Sequence, residues 1–211
     1  MPTTDPGARS EQYRAASRWA DATMHPFVEA LASDALPADT FAAYMAQDAV
    51  FVHALADAVG HLIARAPTLA AKRHLTNFLA AVLDGEDAFF ASVLTQRETP
   101  DVAIQPITRA FSDLLRGSAA ADGYGPGLAT LLAGEWVYLT WGERVAAHPP
   151  NTPAYRHWTT LHSEPPFASF VHWLQTEVDG LVLSVAEETC ARQNFIQAVA
   201  YEVAFFSQFW P

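Results

Sequence analysis

Apolar residues recur along this chain three and four positions apart, in stretches separated by proline and glycine, and no alternating strand pattern competes with them. The spacing predicts helices near 10–33, 38–64, 68–96, 105–117, 125–146, 152–161, 164–180 and 183–209. Two starts carry local signals: Asp39 is the expected N-cap of the second helix, and Ser163 that of the seventh, with Pro165 and Pro166 in its first turn. Arg65-Ala66-Pro67, Thr99-Pro100, Gly123 to Pro126 and His148-Pro149-Pro150 punctuate the rest. No internal repeat or low-complexity stretch divides the chain. The expectation is an all-α helical bundle of about seven to eight helices, a single domain over 1–211 with a flexible lead at 1–9.

Three of these helices carry an acid on their apolar stripe. Phe41, Tyr44, Asp48 and Phe51 fall at i, i+3, i+7 and i+10, so Asp48 shares a face with three aromatic rings. In the last helix Phe195, Val199, Glu202, Phe206 and Phe209 form a seam with one glutamate at its centre. After Pro126, Leu128, Leu131, Leu132, Glu135, Tyr138 and Leu139 do the same. Removing a carboxylate from water costs several kcal/mol unless something compensates it. Either neighbouring Tyr or His side chains satisfy these acids structurally, or the three helices project them into one cavity, where a bundle builds a ligand or metal site.

Composition narrows the choice. At 211 residues, 51% hydrophobic and 17% charged, the chain can bury a sizeable core. The 12 basic residues stand against 23 acidic ones, a net charge of −11, which argues against nucleic acid and against an anionic membrane surface. A cationic or neutral small molecule is the better partner. One cysteine, Cys190, excludes an internal disulfide framework, and neither a secretory signal nor an apolar run of membrane-spanning length is visible, so a cytoplasmic location is expected.

Several motifs in order then resemble one family. Met24-His25-Pro26-Phe27 is similar to the His-Pro-Phe segment of the TenA/thiaminase II family, and Leu36-Pro37, Phe41, Tyr44, Gln47 and Asp48 match its second-helix signature in register. Trp136 and Tyr138, Gly142-Glu143-Arg144, Tyr155 and Trp158, Asn194-Phe195 and Tyr201-Glu202 follow without a gap. The likeness spans 18–206. It implies a haem-oxygenase-like fold and chemistry on the aminopyrimidine half of thiamin, in which a group is cleaved from the methylene carbon attached to the ring. By that likeness Asp48 would bind the ring and its exocyclic amine, and Glu202 would be the general acid. Tyr44, Phe51, Phe111, Tyr138 and His162 would line the substrate site. No cofactor and no metal is expected. Family members are commonly homo-oligomers, so a dimer or tetramer is expected.

The chain departs from the pattern where the main branch carries its cysteine nucleophile. Register places Gly134 there, with Glu135 one residue later and about 100° further round the helix. Cys190 lies off the motif and reads as a small core residue. The chain therefore resembles the cysteine-lacking branch, TenA-E, in which a glutamate serves the site and the substrates are aminopyrimidine or formylaminopyrimidine breakdown products. Phe51, Phe111 and His162 fall where the pattern has tyrosines, which removes phenol groups while keeping ring surface. His162 offers an imidazole in place of a hydroxyl or sits at the surface beside Ser163. His25 and His53 read as structural.

Two alternatives stay open. One is a non-catalytic protein that keeps the pyrimidine pocket. The other is a di-iron carboxylate oxidase on the same fold, with Asp48, His53, His61, Glu86, Glu135, His162 and Glu202 as candidate ligands, although no helix carries a Glu-x-x-His pair.

Overall fold

A computed structural model of the chain describes residues 7–94 and 103–210, without the side chains of 85–88, 91, 92 and 94. Thr99-Pro100 and most of the expected flexible lead fall outside these residues. The described part is all-helical: α1 Arg9–Ala15, α2 Trp19–Thr23, α3 Pro26–Ala32, α4 Ala38–Arg65, α5 Leu69–Leu94, α6 Pro106–Gly117, α7 Tyr124–Ala146, α8 Pro153–Leu161, α9 Pro165–Gly180 and α10 Val185–Ser207. A short π turn, Ser118–Asp122, joins α6 to α7.

The later helices stand where periodicity places them, while the expected 10–33 helix is divided into α1, α2 and α3. Pro26 accounts for the second break. It has no N–H to donate and disfavours helical backbone in the residue before it. His25 takes an extended conformation there and caps α3, its Nδ1 accepting from the Phe27 N–H. The break at Ala16–Arg18 has no proline or glycine to cause it. It does turn Trp19 onto Trp136 and Phe195, with centroids 4.9 and 6.3 Å away.

Two expected caps are also replaced. Pro37 occupies the N-cap of α4 and Asp39 lies in its first turn, where a carboxylate still favours the helix dipole. Glu164 occupies the N-cap of α9, while the Ser163 hydroxyl donates back to the Thr159 carbonyl. The start of α10 is a full capping box between Ser184 and Glu187.

α4, α7 and α10 bury their apolar stripes in one core. Phe41, Tyr44, Leu128, Leu131, Leu132, Phe195, Val199 and Phe206 are all within it. α6 covers one side of this trio and α8 the other. α8 is anchored by Asp34, whose left-handed backbone (φ 59°) ends α3 and whose carboxylate accepts from the Asn151 and Thr152 N–H groups. Those bonds hold the Asp34 carboxyl at a pKa of about 2. Tyr155 adds a bond from its hydroxyl to the Leu36 carbonyl at 2.7 Å. α8 delivers His162 at its C-terminus.

Candidate active site

Asp48 on α4, Glu135 on α7 and Glu202 on α10 meet around a small cavity, together with Phe51, Val52, Leu55, Gly134, Tyr138 and His162. The convergence expected from three acid-bearing stripes is therefore present, and Glu135 faces the same space as the other two. The cavity holds about 30 Å³. That is room for one or two waters and not for a six-membered ring. A second, still smaller void shares Asp48, Phe51, Tyr138 and Glu202 and adds Phe111 and Phe205. The Phe51 ring, which lines both, stands 4.6 Å from that of Phe111.

Glu202 is the most perturbed group. It is 1% exposed, and its Oε2 finds no hydrogen-bond partner among the described residues. Burial pushes its pKa well above the ordinary carboxyl range, and the charges of Asp48 and Glu135 push the same way. Its protonated form is favoured there. Asp48 is buried beside it, whereas Glu135 is only half-buried. The same wall therefore holds a dry acid and a wetter one.

Tyr44 stands behind the cavity wall. It is fully buried, and its hydroxyl meets that of Tyr138 at 2.6 Å. Burial, above all, raises the pKa of both phenols, and Asp48 and Glu202 add to it, so both stay neutral. Tyr138 is thus the phenol in the wall, and Tyr44 positions it.

His162 is buried, with Nδ1 2.9 Å from the Trp158 carbonyl oxygen, which removes the surface option for this residue. Burial pulls its pKa down to about 4. α7 passes so close that a Cβ on Gly142 would overlap the His162 carbonyl, so the Gly142-Glu143-Arg144 segment needs its glycine for this approach. At Gly134 a Cβ would instead lie 3.4 Å from Oε1 of Glu202, an ordinary contact. The position matching the family's nucleophile therefore faces the Glu202 carboxyl.

Other candidates lie elsewhere. Cys190 is half-buried on α10 with Asn194 Nδ2 3.7 Å from its sulfur, not a core residue as expected. His25 is structural, its Nε2 2.9 Å from the Ser207 hydroxyl. His53 and His61 are exposed, and the side chain of Glu86 lies outside the described residues. Among the described residues no group of three or more His, Cys, Asp or Glu side chains could hold a metal ion. Nor is any described helix long and apolar enough to cross a membrane.

Val52, Leu55 and Phe205 line the site without having been expected there. Val52 and Leu55 follow Asp48 by four and seven residues, and that helical spacing could have found them. Gln47, inside the second-helix signature, faces away and braces the start of α6: its Oε1 accepts from the Gln105 N–H and its Nε2 donates to the Ala103 carbonyl. It thereby seats the helix that carries Phe111.

Residues 13–210 match the TENA/THI-4/PQQC family. Two relatives named aminopyrimidine aminohydrolase are similar: one from Bacillus subtilis (strain 168), 27% identical over 95% of this chain and 87% of its own length, and one from Helicobacter pylori, 23% identical over 91% and 93%. Among solved structures, the TenA homologue protein from P. horikoshii OT3 superposes with a TM-score of 0.84 at 21% identity, covering 96% of this chain and 98% of the other. That likeness fits the helical architecture described above, and with a match over nearly its whole length the chain belongs to the TENA/THI-4/PQQC family.

Proposed function

We propose that this protein is a hydrolase of thiamin-related aminopyrimidines, of the aminopyrimidine aminohydrolase type, working without a cysteine nucleophile. One observation carries the reading. In a family two of whose relatives are named for that activity, Glu202 is a buried carboxyl with an unpartnered oxygen and a raised proton affinity, facing a cavity it shares with Asp48 and Glu135. Asp48 accepts from the exocyclic amine of the ring. Glu202 gives its proton to the departing nitrogen as the bond from the methylene carbon to that nitrogen breaks. Water forms the new carbon–oxygen bond and loses its proton to the half-exposed Glu135. The products are the hydroxymethylpyrimidine and ammonia, and Glu202 and Glu135 exchange a proton to reset. A general acid with a raised pKa suits this role at neutral pH.

At about 30 Å³ the cavity is too small for the ring, so admission displaces the Phe51–Phe111 pair. The protein otherwise acts as a homo-oligomer, dimer or tetramer, in the cytoplasm. Exposed Leu69, Leu83, Val182 and Val185 offer apolar surface for assembly, which light scattering on the purified protein would test. The deciding experiment is ammonia release from an aminomethylpyrimidine. Steady turnover supports the hydrolase. Binding without release would make the protein a non-catalytic pyrimidine binder, a reading that Phe51, Phe111 and His162 at the family's tyrosine positions favour.

A further inference from the structure

The hydrogen-bonding polarity of His162 is fixed by its neighbours. Nδ1 lies 2.9 Å from the Trp158 carbonyl oxygen, and a carbonyl only accepts, so Nδ1 carries the proton. A neutral imidazole has a single N–H, which leaves a lone pair on Nε2. Burial keeps the ring neutral. Trp158 and Tyr138 pack against the ring at 4.3 and 4.7 Å and Phe167 meets it edge-on at 5.4 Å, yet no described residue gives Nε2 a hydrogen bond. Trp141 stands a further 5.6 Å from the ring, and His162 also lines the cavity.

Most other polar groups of that wall also accept: Asp48 and Glu135 do so when ionised, the Tyr138 hydroxyl is already engaged with Tyr44 at 2.6 Å, and Glu202, held toward its protonated form, is the carboxyl that donates. A tyrosine in place of His162 could either donate or accept. A histidine held in this tautomer can only accept.

We propose that Nε2 of His162 is a fixed acceptor in the cavity wall and that it selects a ligand presenting an N–H or O–H donor there, a free amine in preference to its N-formyl derivative. The selection rests on the proposed function. N-formylation replaces one N–H with a carbonyl, and a carbonyl set opposite Nε2 leaves two acceptors facing each other unpaired. Loss of one such bond corresponds to roughly a 3- to 10-fold change in affinity.

Calorimetry with an aminomethylpyrimidine and its N-formyl derivative tests this on the wild type and on His162→Tyr. The wild type should prefer the free amine by about 3- to 10-fold, and the variant should lose most of that preference. A wild-type preference for the formyl compound, or an unchanged preference in the variant, overturns the proposal. Nitrogen-15 correlation spectra of the wild type are the second readout and need no variant to fold. A protonated Nδ1 with bare Nε2 supports the assignment, and a protonated Nε2 overturns it. A wild type that binds neither compound defeats the proposed function, while the spectrum still decides the acceptor.

Discussion

Two concavities on this molecule differ more than fifteenfold in size, and the smaller is the candidate site. Between α5 and α9 lies a cleft of about 470 Å³, walled by Phe78 and Phe170, which stack at 4.0 Å, with Val82, Leu161 and Phe167. Its volume is within the usual range for small-molecule sites, about 300–1,000 Å³. Its polar groups His74, Asn77 and Glu164 are exposed to solvent. The cavity between α4, α7 and α10 holds only about 30 Å³, but around it stand a buried carboxyl with an orphan oxygen, a second buried acid and a buried neutral imidazole. Room shows where packing is incomplete. Unmatched buried polarity shows where the fold has accepted a cost that a ligand can relieve.

The largest effect should follow from Glu202→Gln, which keeps the shape and removes the transferable proton. Ammonia release should fall by about 10² to 10⁴ with little change in binding. Stability should move the opposite way. A carboxyl whose folded pKa is raised holds its proton in the folded state while the unfolded chain releases it above about 4.5. Stability is therefore full below that pH and falls as pH rises toward the folded value. The variant should therefore melt higher than the wild type at pH 7.5 and together with it near pH 4. Melting curves across that range, beside the rate, separate an acid in use from a merely structural one: full activity with the same melting shift would end the catalytic reading.

Asp48→Asn should come next. It keeps the volume and loses the charge, so affinity for an aminopyrimidine should drop by roughly 1.5–3 kcal/mol, the range for a charge-assisted hydrogen bond. Calorimetry checks it. An unchanged dissociation constant would remove Asp48 from ligand binding and leave the small cavity with a structural aspartate.

Much of this was legible in the sequence, and for reasons that can be named. Helical periodicity is set by side chains that must all face one core, so α4, α7 and α10 and the acid on each stripe could be read directly. The direction of Glu135 could not, because one residue of helix rotation is as wide as the stripe itself. His162 was equally open: its burial depends on α7 passing within contact of the α8–α9 corner at Gly142, a tertiary approach with no local pattern. Tyr44 lies on the right face but one layer too deep, and depth along a side chain is invisible to spacing. The closure by Phe51 and Phe111 arises between helices distant in sequence.

A smaller effect is expected at Gly134, where two terms oppose. Alanine in the middle of α7 favours the helix by about 0.5–1 kcal/mol over glycine, and the added Cβ meets Oε1 of Glu202 at 3.4 Å without a clash. Gly134→Ala should thus raise the melting temperature by about 1–4 °C. The same methyl intrudes beside the acid, so affinity for the pyrimidine should fall. A gain in stability with no loss of binding would mean that the ligand does not approach Glu202 from the α7 side.

The smallest effects test the other concavity. Ala81 lines the 470 Å³ cleft on an exposed face of α5, so Ala81→Trp fills space there without touching the acids. Surface changes of this kind stay within about 0.5 kcal/mol in stability, and ammonia release should change less than about twofold if the cleft takes no part. Cys190→Ala, on the outer part of α10 beside Asn194, should be as quiet, since its thiol lies far from the carboxylates in sequence register and lines neither cavity. Rates on both variants decide between volume and polarity as the mark of the site. A large loss from Ala81→Trp would move substrate binding to the cleft, and abolition by Cys190→Ala would restore a thiol mechanism; either result breaks the contrast, because the small cavity would then contain only a buried acid with no part in the reaction.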